Sequence, residues 1–301
     1  MDKQRRVGPL SSLLSLEAHM FTNCDARTVS GFGEEWAHFD QSELSEAELK
    51  FSFEMYFSLF PWQELPPSSA GFDLGCGSGR WARLVAPKVE RLHCIDPSVE
   101  ALEVAQRNLA ETPNCTFHLA SAADMPLTDE SMDFGYSIGV LHHLPDTEMG
   151  IRSCVAKLKA GAPLLLYLYY SLDNRPMWYK SIWHVSELLR RLIATTPFPV
   201  KYVISEIFAF CVYWPLARVA GLVERLGKNV HSFPLASYRH LSFYAMRTDA
   251  LDRFGTRIEH RFTRPQIQIM MERAGLERIR FREAPPFWCA IGYRKASNCD
   301  R

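Results

Sequence analysis

An α/β fold with a doubly wound, largely parallel sheet is predicted by three observations. From Gly71 onward, short apolar runs alternate with helical stretches in the order β-α-β-α-β, the pattern of parallel strands joined by crossover helices. A glycine-rich turn, Gly75-Cys76-Gly77-Ser78-Gly79, stands at the first strand-to-helix junction. Asp96 ends the next strand, about 20 residues further on, where a carboxylate can accept both hydroxyls of a ribose.

Residues 1–66 are expected to form an N-terminal helical cap segment. Ser45 with Glu48 makes a capping-box start, and Leu49, Phe53, Tyr56, Phe57 and Phe60 fall at helical spacing before Pro61, Pro66 and Pro67 stop the helix. Lys3, Arg5 and Arg6 precede Leu10–Leu16, a stretch broken by serines that runs into Glu17 and His19, so no secretory signal is expected.

The core, 67–171, has strand-like runs at Phe72–Leu74, Leu92–Ile95, Cys115–Leu119, Phe134–Val140 and Leu164–Tyr170. Helices are expected between them at Trp81–Val89, Ser98–Leu109 and Asp146–Lys159. The alternation then stops over 172–260, an aromatic-rich helical insert after the fifth strand. It resumes over 261–295 with a helix at Pro265–Ala274 and strands at Glu277–Phe281 and Phe287–Tyr293, leaving a tail at 296–301.

The 301 residues are 47% hydrophobic, enough for a full core, and Lys+Arg and Asp+Glu both number 34. That balance gives no electrostatic reason to expect a nucleic-acid partner. No basic run and no Asn/Asp-Pro-Pro-aromatic tetrapeptide of base-modifying enzymes is present. The eight cysteines form no Cys-x-x-Cys pair, so reduced thiols, a cytoplasmic setting and no metal site are expected.

In the glycine-rich turn the third glycine is at 79. A dinucleotide fingerprint would place it at 80, which is Arg. The spacing disfavours a nicotinamide oxidoreductase and favours a nucleoside. Two further elements follow: Ala120-Ser121-Ala122-Ala123-Asp124-Met125-Pro126-Leu127, and Asp133 through the turn Leu141-His142-His143-Leu144-Pro145-Asp146.

The order of these four elements resembles the class I S-adenosylmethionine-dependent methyltransferases, in particular the ubiquinone/menaquinone-type or "type 11" branch. The resemblance covers residues 71–170 and the last helix and strands, 265–293. It implies a Rossmann-like sheet of seven strands with an antiparallel last hairpin, and S-adenosyl-L-methionine as cofactor.

By that resemblance, Gly75, Gly77 and Gly79, with Cys76 between them, would pass beneath the methionine part. Asp73 would help hold its amino group, Asp96 with Pro97 beside it would grip the ribose, and Ala122 would meet the adenine through its backbone. Ser121 stands where many relatives carry Asp. Ile138 and Gly139 would border the sulfonium. Phe32-Gly33-Glu34-Glu35-Trp36 is similar to an aromatic segment that some relatives fold over the cofactor.

His143 and His142 are the candidate proton acceptors for a substrate hydroxyl, amine or acidic carbon, or else position the substrate. Methyl transfer itself needs alignment and exclusion of water more than acid or base. The insert carries 12 Lys+Arg against 7 Asp+Glu, so a substrate cap for an apolar, aromatic, lipid-like or anionic small molecule is expected. A catalytically silent relative serving as a sensor or partner subunit is the alternative. Its apolar run Ile207–Ala217 falls short of the about 20 residues a membrane span needs. A buried helix or lid, or an interfacial helix making peripheral membrane contact, are the readings it leaves.

Overall fold

A computed structural model describes residues 22–230 and 233–296. The Lys3–His19 stretch and nearly all of the tail 296–301 lie outside the described residues. The sheet contains β1 (Ala70–Leu74), β2 (Arg91–Asp96), β3 (Cys115–Leu119), β4 (Phe134–Ile138), β5 (Pro163–Tyr167), β6 (Leu276–Phe281) and β7 (Cys289–Arg294). Their spatial order is β3-β2-β1-β4-β5-β7-β6. β7 alone runs opposite to the other six strands, so the seven-stranded sheet and its antiparallel last hairpin are as the resemblance implies.

The strands read as apolar runs because both faces are covered. On one face α1 (Ala26–His38), α2 (Glu46–Tyr56), the short α3 (Ala82–Val85) and α4 (Val99–Asn108) are placed, and Leu49, Phe53, Ala82, Val85 and Leu102 pack there. On the other, α5 (Thr147–Lys157) and α10 (Arg264–Arg273) contribute Ile151, Cys154, Ile267 and Met271. Between β5 and α10 lie α6 (Met177–Ile193), α7 (Phe198–Phe208), α8 (Trp214–Arg225) and α9 (Phe243–Gly255).

Several expectations change in detail. The helix expected over Trp81–Val89 shrinks to α3 and a 3-10 turn at Ala86–Lys88, because Pro87 cannot continue the hydrogen-bond ladder. β4 ends at Ile138, two residues early, because Gly139 turns to φ +80°. The capping box at Ser45 is half made: Ser45 accepts from Glu48 N, but the Glu48 carboxylate accepts from Ser242 N at 2.8 Å and Ser242 Oγ at 3.1 Å. Glu48 therefore fastens the N-cap of α9 to α2.

The run Ile207–Ala217 is not a separate buried helix. It belongs to one continuous helical stretch, Phe198–Arg225, 28 residues long with mean hydropathy 1.5, of which 28% of the apolar window is buried. By length and composition that stretch could cross a membrane. Pro215 has no N–H to close an α-helical bond, and the preceding turn widens over Ala209–Tyr213, with Trp214 N–H reaching back to Ala209 O.

One close approach fixes the centre of the sheet. Gly71 pairs with Phe134 and Phe72 with Gly135 across β1 and β4, and each glycine makes room for the opposing ring. A Cβ on Gly135 would lie 2.2 Å from the Phe72 ring. Gly135→Ala is expected to lower the free energy of urea unfolding by about 1–3 kcal/mol, with Phe72→Leu recovering part of the loss. Unchanged stability in the single variant would mean that the rings can step aside.

Candidate active site

The strand order reverses between β1 and β4, which opens a crevice at the carboxyl ends of the strands. Gly75, Gly77 and Gly79 adopt φ +74°, +52° and +76°, so the chain after β1 turns in a conformation that L side chains rarely take. Gly75 N and Cys76 N donate to Ile95 O at 2.7 and 3.1 Å, which ties the turn to the end of β2. A Cβ at Gly75 would strike Val140, and one at Gly77 would strike Trp36.

Asp96 is buried at the end of β2. One carboxylate oxygen accepts from Gly77 N at 2.9 Å and the other from Ser98 N at 2.9 Å. Burial pushes its pKa up to about 6, opposed by those two N–H groups. A carboxylate offers about four lone-pair sites, so two remain for further donors. Asp73 is buried off the cavity wall, accepts from Tyr136 Oη at 3.0 Å, and is pushed up to about 8 by burial.

A cavity of about 1000 Å³ opens over the turn. Gly75, Cys76, Gly77, Asp96, Pro97, Ile138, Gly139 and His143 line it. Gly79 lies outside it and would meet Leu109 and Ala105. Ser121 and Ala122 are buried off the wall. The Ser121 hydroxyl donates to Asp124 Oδ2 at 2.9 Å, beside Thr22, whose N–H reaches the same oxygen at 3.3 Å. Asn23 exchanges two 2.8 Å bonds with the Asp146 backbone, so residues 22–25 strap this side of the crevice before Asp25 caps α1. Phe32, Glu35 and Trp36 of α1 line the cavity, so the aromatic segment does sit over the glycine turn.

The two histidines separate in role. His142 is fully buried off the wall, stacked on Tyr169 at 3.8 Å, with neither ring nitrogen hydrogen-bonded among the described residues. Burial holds it well below the usual histidine range. His143 lies on the wall with Nδ1 2.6 Å from Ile258 O. A carbonyl only accepts, so Nδ1 carries the proton and the buried Nε2, which has no hydrogen-bond partner among the described residues, keeps its lone pair. Burial also lowers its pKa, so the ring is neutral at pH 7.

Other polar groups on the wall have no motif. Glu35, Asp249 and Asp252 line it; burial raises Glu35 well above the carboxylate range and Asp249 to about 6. Tyr169 Oη bonds Asp252. Trp183 of α6 offers an Nε1–H with no partner among the described residues. Arg253 and Arg261 share Glu259 at 2.7 and 2.6 Å, and Arg190 and Arg253 share Glu187 at 2.7 and 3.2 Å. These groups come from α1, α6, α9 and the return to α10, too far apart in sequence to show any spacing.

This sheet order, with a glycine turn and a strand-end carboxylate at the switch point, defines a class I methyltransferase domain. Residues 72–166 match the family model described as a methyltransferase domain, and the likeness to the type 11 S-adenosylmethionine-dependent methyltransferases holds over that segment. The chain is 28% identical over 159 residues to an uncharacterized 37.1 kDa protein in transposon TN4556 of Streptomyces fradiae, covering 51% of this chain and 45% of that one. It is 32% identical over 109 residues to ajmaline N-methyltransferase of Rauvolfia serpentina, 35% and 37% of the two chains.

A tRNA (carboxymethyluridine(34)-5-O)-methyltransferase of Saccharomyces cerevisiae is 31% identical over 107 residues, 35% of this chain and 37% of that one. These matches span less than half the length of each relative. Among solved structures, the fold matches a chain of the complex between the Haloferax volcanii Trm112 methyltransferase activator and a candidate methyltransferase. The TM-score is 0.50 at 13% identity, over 88% of this chain and 98% of that one.

As the expected ribose acceptor, Asp96 would receive hydrogen bonds from both hydroxyls in its ionised form. Affinity for S-adenosylhomocysteine, measured by calorimetry, is therefore expected to fall as the pH drops through about 6. Asp96→Asn should flatten that profile and weaken binding at least tenfold at neutral pH, about 1.4 kcal/mol. A native profile that stays flat between pH 7.5 and 5 would remove Asp96 from the nucleoside site.

Proposed function

We propose that this protein is an S-adenosylmethionine-dependent methyltransferase acting on a small, largely apolar acceptor that carries a hydroxyl or amine hydrogen. The observation that carries the reading is the cavity that the glycine turn, Asp96 and His143 line together, with the buried Nε2 of His143 left without a hydrogen-bond partner among the described residues. The residues present fit the cofactor: Gly75 and Gly77 line the cavity in left-handed turns, and Asp96 has two lone-pair sites left.

S-adenosyl-L-methionine would supply a methyl carbon made electrophilic by its sulfonium. Asp96 would receive the ribose hydroxyls, with Pro97 shaping the loop beside it. Ile138 and Gly139 would border the reacting end, and Trp36 would cover the glycine turn. His143 Nε2 would take the acceptor's proton, and Ile258 O would steady the imidazolium through the Nδ1–H it already holds. Trp183 Nε1–H would orient an oxygen or nitrogen of the acceptor. The depth of the cavity would limit water at the transfer.

Acidic and basic side chains on the wall are equal in number, seven of each, so the wall itself gives no net pull on an anionic acceptor. The balanced charge of the whole chain supports a small molecule over nucleic acid. The test is radiolabelled methyl transfer to panels of phenols, alcohols and amines, with bulk tRNA as a further arm. With an accepted small molecule, His143→Gln should lower kcat about a hundredfold or more and leave cofactor affinity unchanged. Trp183→Phe should raise the acceptor KM severalfold with kcat nearly intact. Transfer to tRNA alone would overturn the acceptor class. Tight cofactor binding with no transfer to any arm would favour a catalytically silent sensor.

A further inference from the structure

The outer face of the helical insert is built inside out. Along α6, Trp178, Ile182, Val185, Leu189 and Leu192 recur at spacings of four and three, the period of one helix face. Along α7 and α8, Val200, Val203, Ile207, Phe210 and Trp214 do the same. Each of these ten side chains is at least 41% exposed. The same helices bury Glu187, Arg190, Lys201 and Ser205 instead.

The buried polar groups are fastened inward. Arg190 donates to Thr256 O at 2.7 Å and Lys201 to Gly255 O at 3.4 Å, so two cations meet the carboxyl end of α9. Glu187 binds Arg190 and Arg253. The apolar stripes thus point away from the protein because the polar residues are committed to it. Scattered exposed apolar residues need no explanation, but two periodic stripes on neighbouring helices do.

Charge selects the occupant. Between residues 177 and 228 the exposed charged side chains are Arg191, Arg218, Arg225 and Lys228, all positive. The three acids of that stretch, Glu187, Glu206 and Glu224, are paired with Arg190, Arg247 and Arg239. A second copy would bring an equally basic rim against this one and be repelled. An anionic surface would be attracted, and Trp178, Phe210 and Trp214 are the aromatic types that settle at head-group level.

We propose that this face docks on an anionic lipid bilayer, with α6 and the Phe198–Arg225 stretch lying in the interfacial plane. The long helix lies flat because its buried side, Lys201, Ser205, Ala209, Tyr213 and Ala217, is taken up by the protein. Ile182 belongs both to the outer stripe and to the wall of the central cavity, so the docked face adjoins the cavity mouth.

The test is co-sedimentation of the full chain with phosphatidylcholine vesicles, with and without phosphatidylglycerol. It needs no cofactor, so its outcome is independent of the methyl-transfer reading. Binding is expected to the mixed vesicles and at least tenfold weaker to the neutral ones. Phe210→Glu and, separately, the Arg218→Glu/Arg225→Glu pair should each cut vesicle affinity at least tenfold, while cofactor affinity and thermal unfolding stay as in the parent chain. No binding to mixed vesicles, or equal binding by Phe210→Glu, overturns the proposal. So does a self-association that Phe210→Glu abolishes in a chain that ignores vesicles, which would assign the face to a second copy.

Discussion

The Asp96 carboxylate accepts one N–H from the glycine turn and one from the start of the helix after β2, each at 2.9 Å. This pair of bonds locks the floor of the crevice, because Gly77 belongs to the loop leaving β1 and Ser98 caps α4. Three left-handed glycines would otherwise leave that loop many conformations. With the carboxylate as hinge pin, the loop has one shape, and the remaining lone pairs of Asp96 face the cavity that Gly77 also lines. Under the proposed function, the fold of the loop and the hold on a nucleoside would draw on the same carboxyl group.

His143 depends on a second long-range bond. Its tautomer is set by Ile258, 115 residues later, and His260 N donates to His142 O at 2.9 Å in the same crossing. The return from the insert thus decides which ring nitrogen is free. Buried ion pairs under the insert hold that return in place, since Arg253 and Arg261 both grip Glu259. Taking one partner away would strand a charge in a dry site, which costs far more than an exposed pair is worth.

Local chemistry was legible in the sequence wherever it depends on neighbours in the chain. The Gly75–Gly79 turn, Asp96 and the strand alternation could be read because each is fixed within a few residues. Glu48 was misread as a capping-box partner, since its true acceptor role is toward Ser242, 194 residues away. Ser121 stands where many relatives carry Asp, and no sequence signal showed that its hydroxyl meets Thr22 O and the Asp124 carboxylate. Glu35, Trp183, Asp249 and Asp252 carried no motif, because only tertiary packing brings them to one wall. The Ile207–Ala217 run was expected most simply as core. Apolar periodicity tells which residues share a face, and it is silent on whether protein or something else covers that face.

The match to the methyltransferase family ends at residue 166, within β5, shortly before the insert begins. The way the insert is attached gives that boundary a physical meaning. Its inner surface meets the rest of the molecule through Phe39 packed on Tyr244 and Leu251 and through the Glu48 carboxylate on Ser242, whereas its outer side chains have no packing duty toward the sheet. Substitutions there can accumulate without disturbing β1–β5, so the two parts of one chain are free to diverge at different rates. A lineage could keep one chemical engine and change its address.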